Sequence, residues 1–280
     1  MKHAIGLAFF LFVSCAHGSS APFIDGPQGK LRVDDGGSGR GVPVLFVHGN
    51  GANRTQWRYQ LAHVRSSRRA VAFDLRGMGE SEPARNGDYS VPAMVSDVQA
   101  VADALHLKRF VIVGHSYGGA VVAAYAAAHP ERLAGVVFAD SAGNIKITDD
   151  VADAFLKALR ADKSKFVRSW FAPILTNASE AVQAEVFASE DKTPADVLAG
   201  ALMGLRSVDT VASVNAYQGP KVAIAAAPIA GPSSLHRQVP GLRTVEMQGV
   251  SHWLMLDKPD EFNKILDSFL AEIDASQAKR

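Results

Sequence analysis

Cys15 is the single cysteine of this 280-residue chain, so no intramolecular disulfide is available and stability has to come from a packed core. A chain of this length buries roughly three quarters of the surface its unfolded form exposes, which is enough without a cross-link or a structural metal. Neither sign of charge is in excess, with 29 Lys and Arg against 28 Asp and Glu. No basic stripe marks a nucleic-acid partner, and the cluster Arg65, Arg68 and Arg69 reads as a solvated helix end. His, Cys and Asp nowhere recur at metal-ligand spacing, and the glycine-rich turn at Ser116 has another explanation below. No metal and no cofactor are expected, and no internal repeat or low-complexity segment is visible.

The N-terminus lacks a run long enough to span a bilayer. Lys2 and His3 precede only Ala4 to Val13, followed by small residues through Ser20, Ala21 and Pro22. This is the pattern of a secretory signal peptide over residues 1–18, with Ala16-His17-Gly18 before the cleavage point at Ser19. The mature chain is then exported, to the periplasm or the medium. Phe12-Val13-Ser14-Cys15 also resembles a bacterial lipoprotein processing site, the alternative in which a lipid on Cys15 brings the protein to a membrane.

What the chain has in quantity is short apolar runs separated by helix-length stretches. They begin at Val44, Ala70, Phe110, Gly135, Val222 and Arg243, and their unbroken apolar character is that of parallel strands covered on both faces. Asp34-Asp35-Gly36-Gly37-Ser38-Gly39 reads as a turn between an early strand and the Val44 strand. From about Gly143 to Gly204 the alternation stops and helical periodicity takes over, with apolar positions such as Phe155, Leu159, Phe166, Trp170, Val186 and Leu198. That divides the mature chain into a core, 19–142 with 205–280, and a helical cap, 143–204, placed to cover a substrate pocket.

Directly after Phe110 to Val113 stands Gly114-His115-Ser116-Tyr117-Gly118, and directly after that a run of small residues to Ala128. Strand, sharp turn and helix with a serine at the apex is the context of a nucleophile, because flanking glycines remove the side chains that a strained turn would crush. Upstream, Val44 to Val47 ends in His48-Gly49-Asn50-Gly51 and soon reaches Trp57. An acyl-transfer site needs two fixed N–H donors for the oxyanion, assigned here to the main chain of Tyr117 and of Asn50. Downstream, Gly249-Val250-Ser251-His252-Trp253 leaves the strand Arg243 to Met247 and precedes a helix with Phe262, Ile265, Leu266, Phe269 and Leu270 on one face. His252 is the histidine placed to take and return the serine proton. Asp74 and Arg76, in Asp74 to Ser81, read as loop braces.

With these segments in this order the chain resembles the α/β-hydrolase superfamily, from about Gly29 to the C-terminal helix. The resemblance implies a mostly parallel sheet with helices on both faces and an inserted helical cap. It departs from the family in its acid. Many members carry one in the loop after the strand that here reads Lys221 to Ala225, yet Ala226 to Ser234 contains no carboxylate. Some branches place it at the end of the preceding strand, where this chain has Asp140 after Gly135 to Ala139, and Ser116, Asp140, His252 is the order expected of the fold. A pocket-lining or capping Asp140, in a site without a carboxylate, is the alternative.

The expectation is a serine esterase acting through an acyl-enzyme on a partly apolar small-molecule ester, lactone or related acyl compound. Carbon–carbon bond hydrolysis and perhydrolysis remain open with the same residues, as does a ligand-binding protein on the same fold without turnover. Haloalkane dehalogenation is disfavoured, since in this superfamily it uses an aspartate where Ser116 stands.

Overall fold

The computed structural model describes residues 22–227 and 231–277; the leader read at 1–18, with Cys15, lies outside them. Among the described residues eight strands form one sheet: β1 Phe23–Asp25, β2 Lys30–Gly36, β3 Val44–Val47, β4 Ala70–Phe73, β5 Phe110–His115, β6 Leu133–Ala139, β7 Lys221–Ala227 and β8 Thr244–Gln248. Their spatial order is β1-β2-β4-β3-β5-β6-β7-β8. The β1–β2 and β2–β4 pairs are antiparallel and all later pairs are parallel.

Alternation hidden in the apolar runs sorts the side chains to two faces. Leu45, Val47, Val71, Phe73 and Ile112 join one buried cluster, whereas Val44, Phe46, Ala72, Val111 and Val113 join the other. Helices cover both, among them α1 Arg58–Val64, α2 Val91–Ala104 and α3 Tyr117–Ala128; after β6 come α4 Asp149–Ala161, α5 Lys163–Phe171, α6 Glu180–Lys192, α7 Ala195–Gly204 and α8 Thr210–Ala216, with Phe155 and Leu159 of α4, Val167 of α5 and Leu198 of α7 in a buried cluster of their own. The chain closes with α9 Leu235–Gln238, α10 Leu254–Asp257 and α11 Pro259–Gln277. On α11 the buried stripe is Phe262, Leu266, Phe269, Leu270 and Ile273; the Phe269 ring fills the space beside Gly135, where an added Cβ would come within 2.7 Å of it. Truncating a buried phenylalanine of this kind costs about 3–5 kcal/mol.

Two surface readings are corrected. Asp34, Asp35 and Gly36 belong to β2, and the turn starts at Gly37, whose φ of +78° marks where the strand ends. The Arg65, Arg68 and Arg69 cluster is not a solvated helix end: Arg65 pairs with Asp34, Arg68 with Asp274 and Arg69 with Asp35. Their partners come from β2 and α11, far away in sequence, so the three arginines tie the sheet edge to the C-terminal helix.

Parallel strands deliver their ends to one edge of the sheet. Register pairs Val47 with Gly114 and His115 with Ala139, so the loops after β3, β5 and β6 emerge side by side. This is the edge at which open α/β sheets build their sites.

Candidate active site

Ser116 occupies the turn between β5 and α3 with φ +53° and ψ −119°, a conformation that L residues rarely adopt. The neighbouring glycines permit it. A Cβ on Gly114 would lie 2.4 Å from the Gly118 carbonyl oxygen, and one on Gly118 2.5 Å from that of His48. The Ser116 N–H donates to the Ala139 carbonyl at 3.0 Å, which fixes the turn to the end of β6.

Tyr117 is the first residue of α3, so its N–H is among those a helix leaves without an internal acceptor. Its ring is buried, its hydroxyl donates to the Tyr89 carbonyl, and burial pushes its ionisation far up. The loop of Asn50 is fastened from both sides. Below it, His48 donates from Nδ1 to the Gly49 carbonyl and accepts the Leu75 N–H at Nε2, remaining neutral because burial lowers its pKa. Above it, Asn50 Nδ2 donates to the Leu198 carbonyl of α7, and the hydroxyls of Ser189 and Thr193 both donate to the Gly51 carbonyl.

His252 Nδ1 lies 2.6 Å from Asp140 Oδ2, and Asp140 Oδ1 accepts the Ala226 N–H at 3.0 Å. Asp140 reaches this position with φ +39° at the end of β6, while Glu246 is exposed on β8. The loop itself is held by Ser251, whose N–H and hydroxyl both donate to Asp257, and by the His252 N–H on the Ile174 carbonyl of the inserted segment. His115 packs beside His252 with ring centroids 4.7 Å apart and planes inclined at 45°, and donates from Nε2 to the His252 carbonyl. Burial first, and the neighbouring His252 second, hold its pKa well below the ordinary range, so His115 stays neutral.

Asn50, Ser116, Tyr117 and His252 line one cavity of about 170 Å³, many times the space a water molecule needs. Its remaining wall comes largely from the segment between β6 and β7, with Phe155, Phe166, Phe171 and Leu198 among the lining residues. Trp170, at the same cavity, is 49% exposed. Asp74 and Arg76 stay out of it: Asp74 receives the Arg54 N–H and guanidinium, and Arg76 pairs with buried Asp97. One polar cavity residue carried no sequence signal. Glu190, in the run Ser189-Glu190-Asp191-Lys192, has the pattern of a surface helix end, yet it is 2% exposed and lines the cavity.

The model of a family described as alpha/beta hydrolase fold matches residues 42–195. A 2-hydroxymuconate semialdehyde hydrolase of Pseudomonas sp. (strain CF600) is 35% identical over 116 residues, 40% of this chain and 41% of that protein. The chain thus spans about two fifths of that relative. A 2-hydroxymuconate semialdehyde hydrolase of Pseudomonas putida matches over 256 residues at 27% identity, covering 85% of this chain and 90% of its own. Among solved structures, a thermophilic esterase from Thermogutta terrifontis superposes with a TM-score of 0.79 at 23% identity, covering 90% of this chain and 98% of the esterase.

Proposed function

This chain belongs to the alpha/beta hydrolase family, and from that premise we propose that it is a serine hydrolase of carboxylic esters, lactones or related acyl compounds. The observation that carries this reading is the 2.6 Å contact of Asp140 with His252 Nδ1. A carboxylate there holds the ring as the Nδ1–H tautomer, so Nε2 is left as the base, and His252 and Ser116 line the same cavity.

Ser116 Oγ attacks the substrate carbonyl as its proton passes to His252 Nε2. The oxyanion is received by the main-chain N–H groups of Tyr117 and Asn50. Collapse of the tetrahedral species expels the alcohol, which takes the proton from His252. Water then loses a proton to the same nitrogen and attacks the acyl-enzyme, releasing the acid and restoring Ser116. The mainly apolar cavity wall supports a substrate that is partly apolar. Helices 143–204 serve as the cap of the site, and the leader directs the mature chain out of the cytoplasm.

Fluorophosphonate labelling tests the reading, since only an activated serine reacts quickly. Labelling of the wild type within minutes and none in Ser116→Ala, with p-nitrophenyl ester hydrolysis lost in parallel, is the expected result. A folded wild type that neither labels nor turns over any ester overturns the reading.

A further inference from the structure

The cavity wall is apolar apart from a few groups, and three lining residues, Asn50, His115 and Glu190, each hold one buried side-chain atom without a hydrogen-bond partner in the protein. Asn50 spends its amide NH₂ on the Leu198 carbonyl, so its Oδ1 is left as a buried acceptor. Glu190 Oε2 is buried as well and unpartnered, although the residue is only 2% exposed. The two are neighbours through Gly51: the Glu190 carboxyl occupies the space where a Cβ on Gly51 would sit, with its atoms 1.9 to 2.2 Å from that position. Gly51 follows Asn50, whose N–H is assigned to the oxyanion. Glu190 therefore stands at the reacting end of the cavity.

Lys163, the cation that acts on Glu190, does not neutralise it by contact. Its Nζ donates to the main-chain carbonyls of Glu190, Asp191 and Thr193. Burial pushes the Glu190 carboxyl well above the usual carboxylate range, against the weaker pull of Lys163 and with a further push from Asp191. A neutral carboxyl carries an O–H donor as well as acceptor lone pairs, and the Asn50 side chain adds a second acceptor. Unpaired polar groups in a buried wall are costly unless a ligand or water satisfies them.

We propose that Glu190 and the Asn50 side-chain carbonyl form a polar subsite that selects acyl substrates carrying a hydroxyl group near the scissile bond, Glu190 being the specificity-determining residue. A hydroxyl both donates and accepts, which matches a wall that holds both a carboxyl and an amide oxygen. The inference rests on the serine-hydrolase reading above. A site built to bond a hydroxyl rejects the analogue that lacks it, because the wall groups are then buried unpaired.

Matched ester pairs test it. p-Nitrophenyl 3-hydroxybutyrate against p-nitrophenyl butyrate places the hydroxyl on the acyl side, and 2-hydroxyethyl butyrate against propyl butyrate places it on the alcohol side. For the wild type, kcat/KM should favour the hydroxylated member of at least one pair roughly tenfold or more. Glu190→Gln keeps a donor and an acceptor and should retain that preference, whereas Glu190→Leu should bring the ratio close to one. Glu190→Ala stands in if the leucine variant does not fold. Wild-type ratios near one in both pairs overturn the subsite, as does a preference that survives the leucine or alanine variant. If the wild type neither hydrolyses the plain esters nor labels with fluorophosphonate, the serine-hydrolase reading itself has failed and takes the subsite with it.

Discussion

Asp140 and His252, 112 residues apart in the chain, meet through a 2.6 Å contact between Oδ2 and Nδ1, and the second carboxylate oxygen is occupied by the Ala226 N–H. Both oxygens are thus committed, one to orienting the ring and one to orienting the carboxylate. The backbone at Asp140 carries a φ of +39° to make this possible, a strain that the Asp140 N–H bond to the Ile224 carbonyl helps to hold.

Asp140→Asn keeps the shape and the Ala226 contact but can present an NH₂ to Nδ1, which favours the wrong tautomer. We expect kcat to fall by about 10³ to 10⁴ with KM nearly unchanged. Steady-state kinetics on a p-nitrophenyl ester, with circular dichroism to verify folding, check this. An asparagine variant within tenfold of wild type removes Asp140 from the reaction.

The sheet was legible because its central strands are buried on both faces, which writes them as unbroken apolar runs. β3 and β4 fall where Val44 to Val47 and Ala70 to Phe73 announce them. The edge was not. β1 is three residues long with one buried side chain, and β2 carries aspartates whose arginine partners are more than thirty residues away. Ser116 and His252 were legible because each sits at a strand exit with a helix behind it. Glu190 was not, since its burial depends on the Gly51 turn of a distant loop, and no local pattern encodes that contact.

Export is tested by intact mass. The mature chain secreted from a bacterial host should begin near Ser19, and a mass carrying diacylglycerol on Cys15 would establish the lipoprotein route instead. Retention of Met1 rejects both.

Gly51 joins the loop after β3 to α6 through the Glu190 carboxyl, and its substitution should expose that joint. At φ +70° an alanine costs about 1–2 kcal/mol in backbone strain alone, and its Cβ would also collide with the Glu190 carboxyl. Gly51→Ala should therefore be destabilised in urea unfolding and should lose kcat, because the same loop carries the Asn50 N–H. Adding Glu190→Ala should recover the steric part of the stability loss and leave the strain. Strict additivity of the two changes would show that the carboxyl does not press on this turn.

The last expectation follows from the state of Glu190. Burial raises its carboxyl well above the ordinary value of 4.5 in the fold, while in the unfolded chain it ionises near that value. Between that pH and the raised value of the fold, the unfolded state binds fewer protons than the native one, so this group's contribution to stability is present below about 4.5 and is lost as pH rises. Glu190→Gln has no such proton to lose. The stability of the wild type relative to this variant should decline as pH rises above about 4.5, with a slope no steeper than about 1.4 kcal/mol per pH unit for one proton. Lys163 and Asp191, the charged neighbours that act on it, remain in both proteins and cancel in the comparison. Urea titrations of the pair across this range read the difference directly. A difference that stays flat or rises with pH would mean that Glu190 is ionised in the native protein, and its O–H would then be no donor to a substrate.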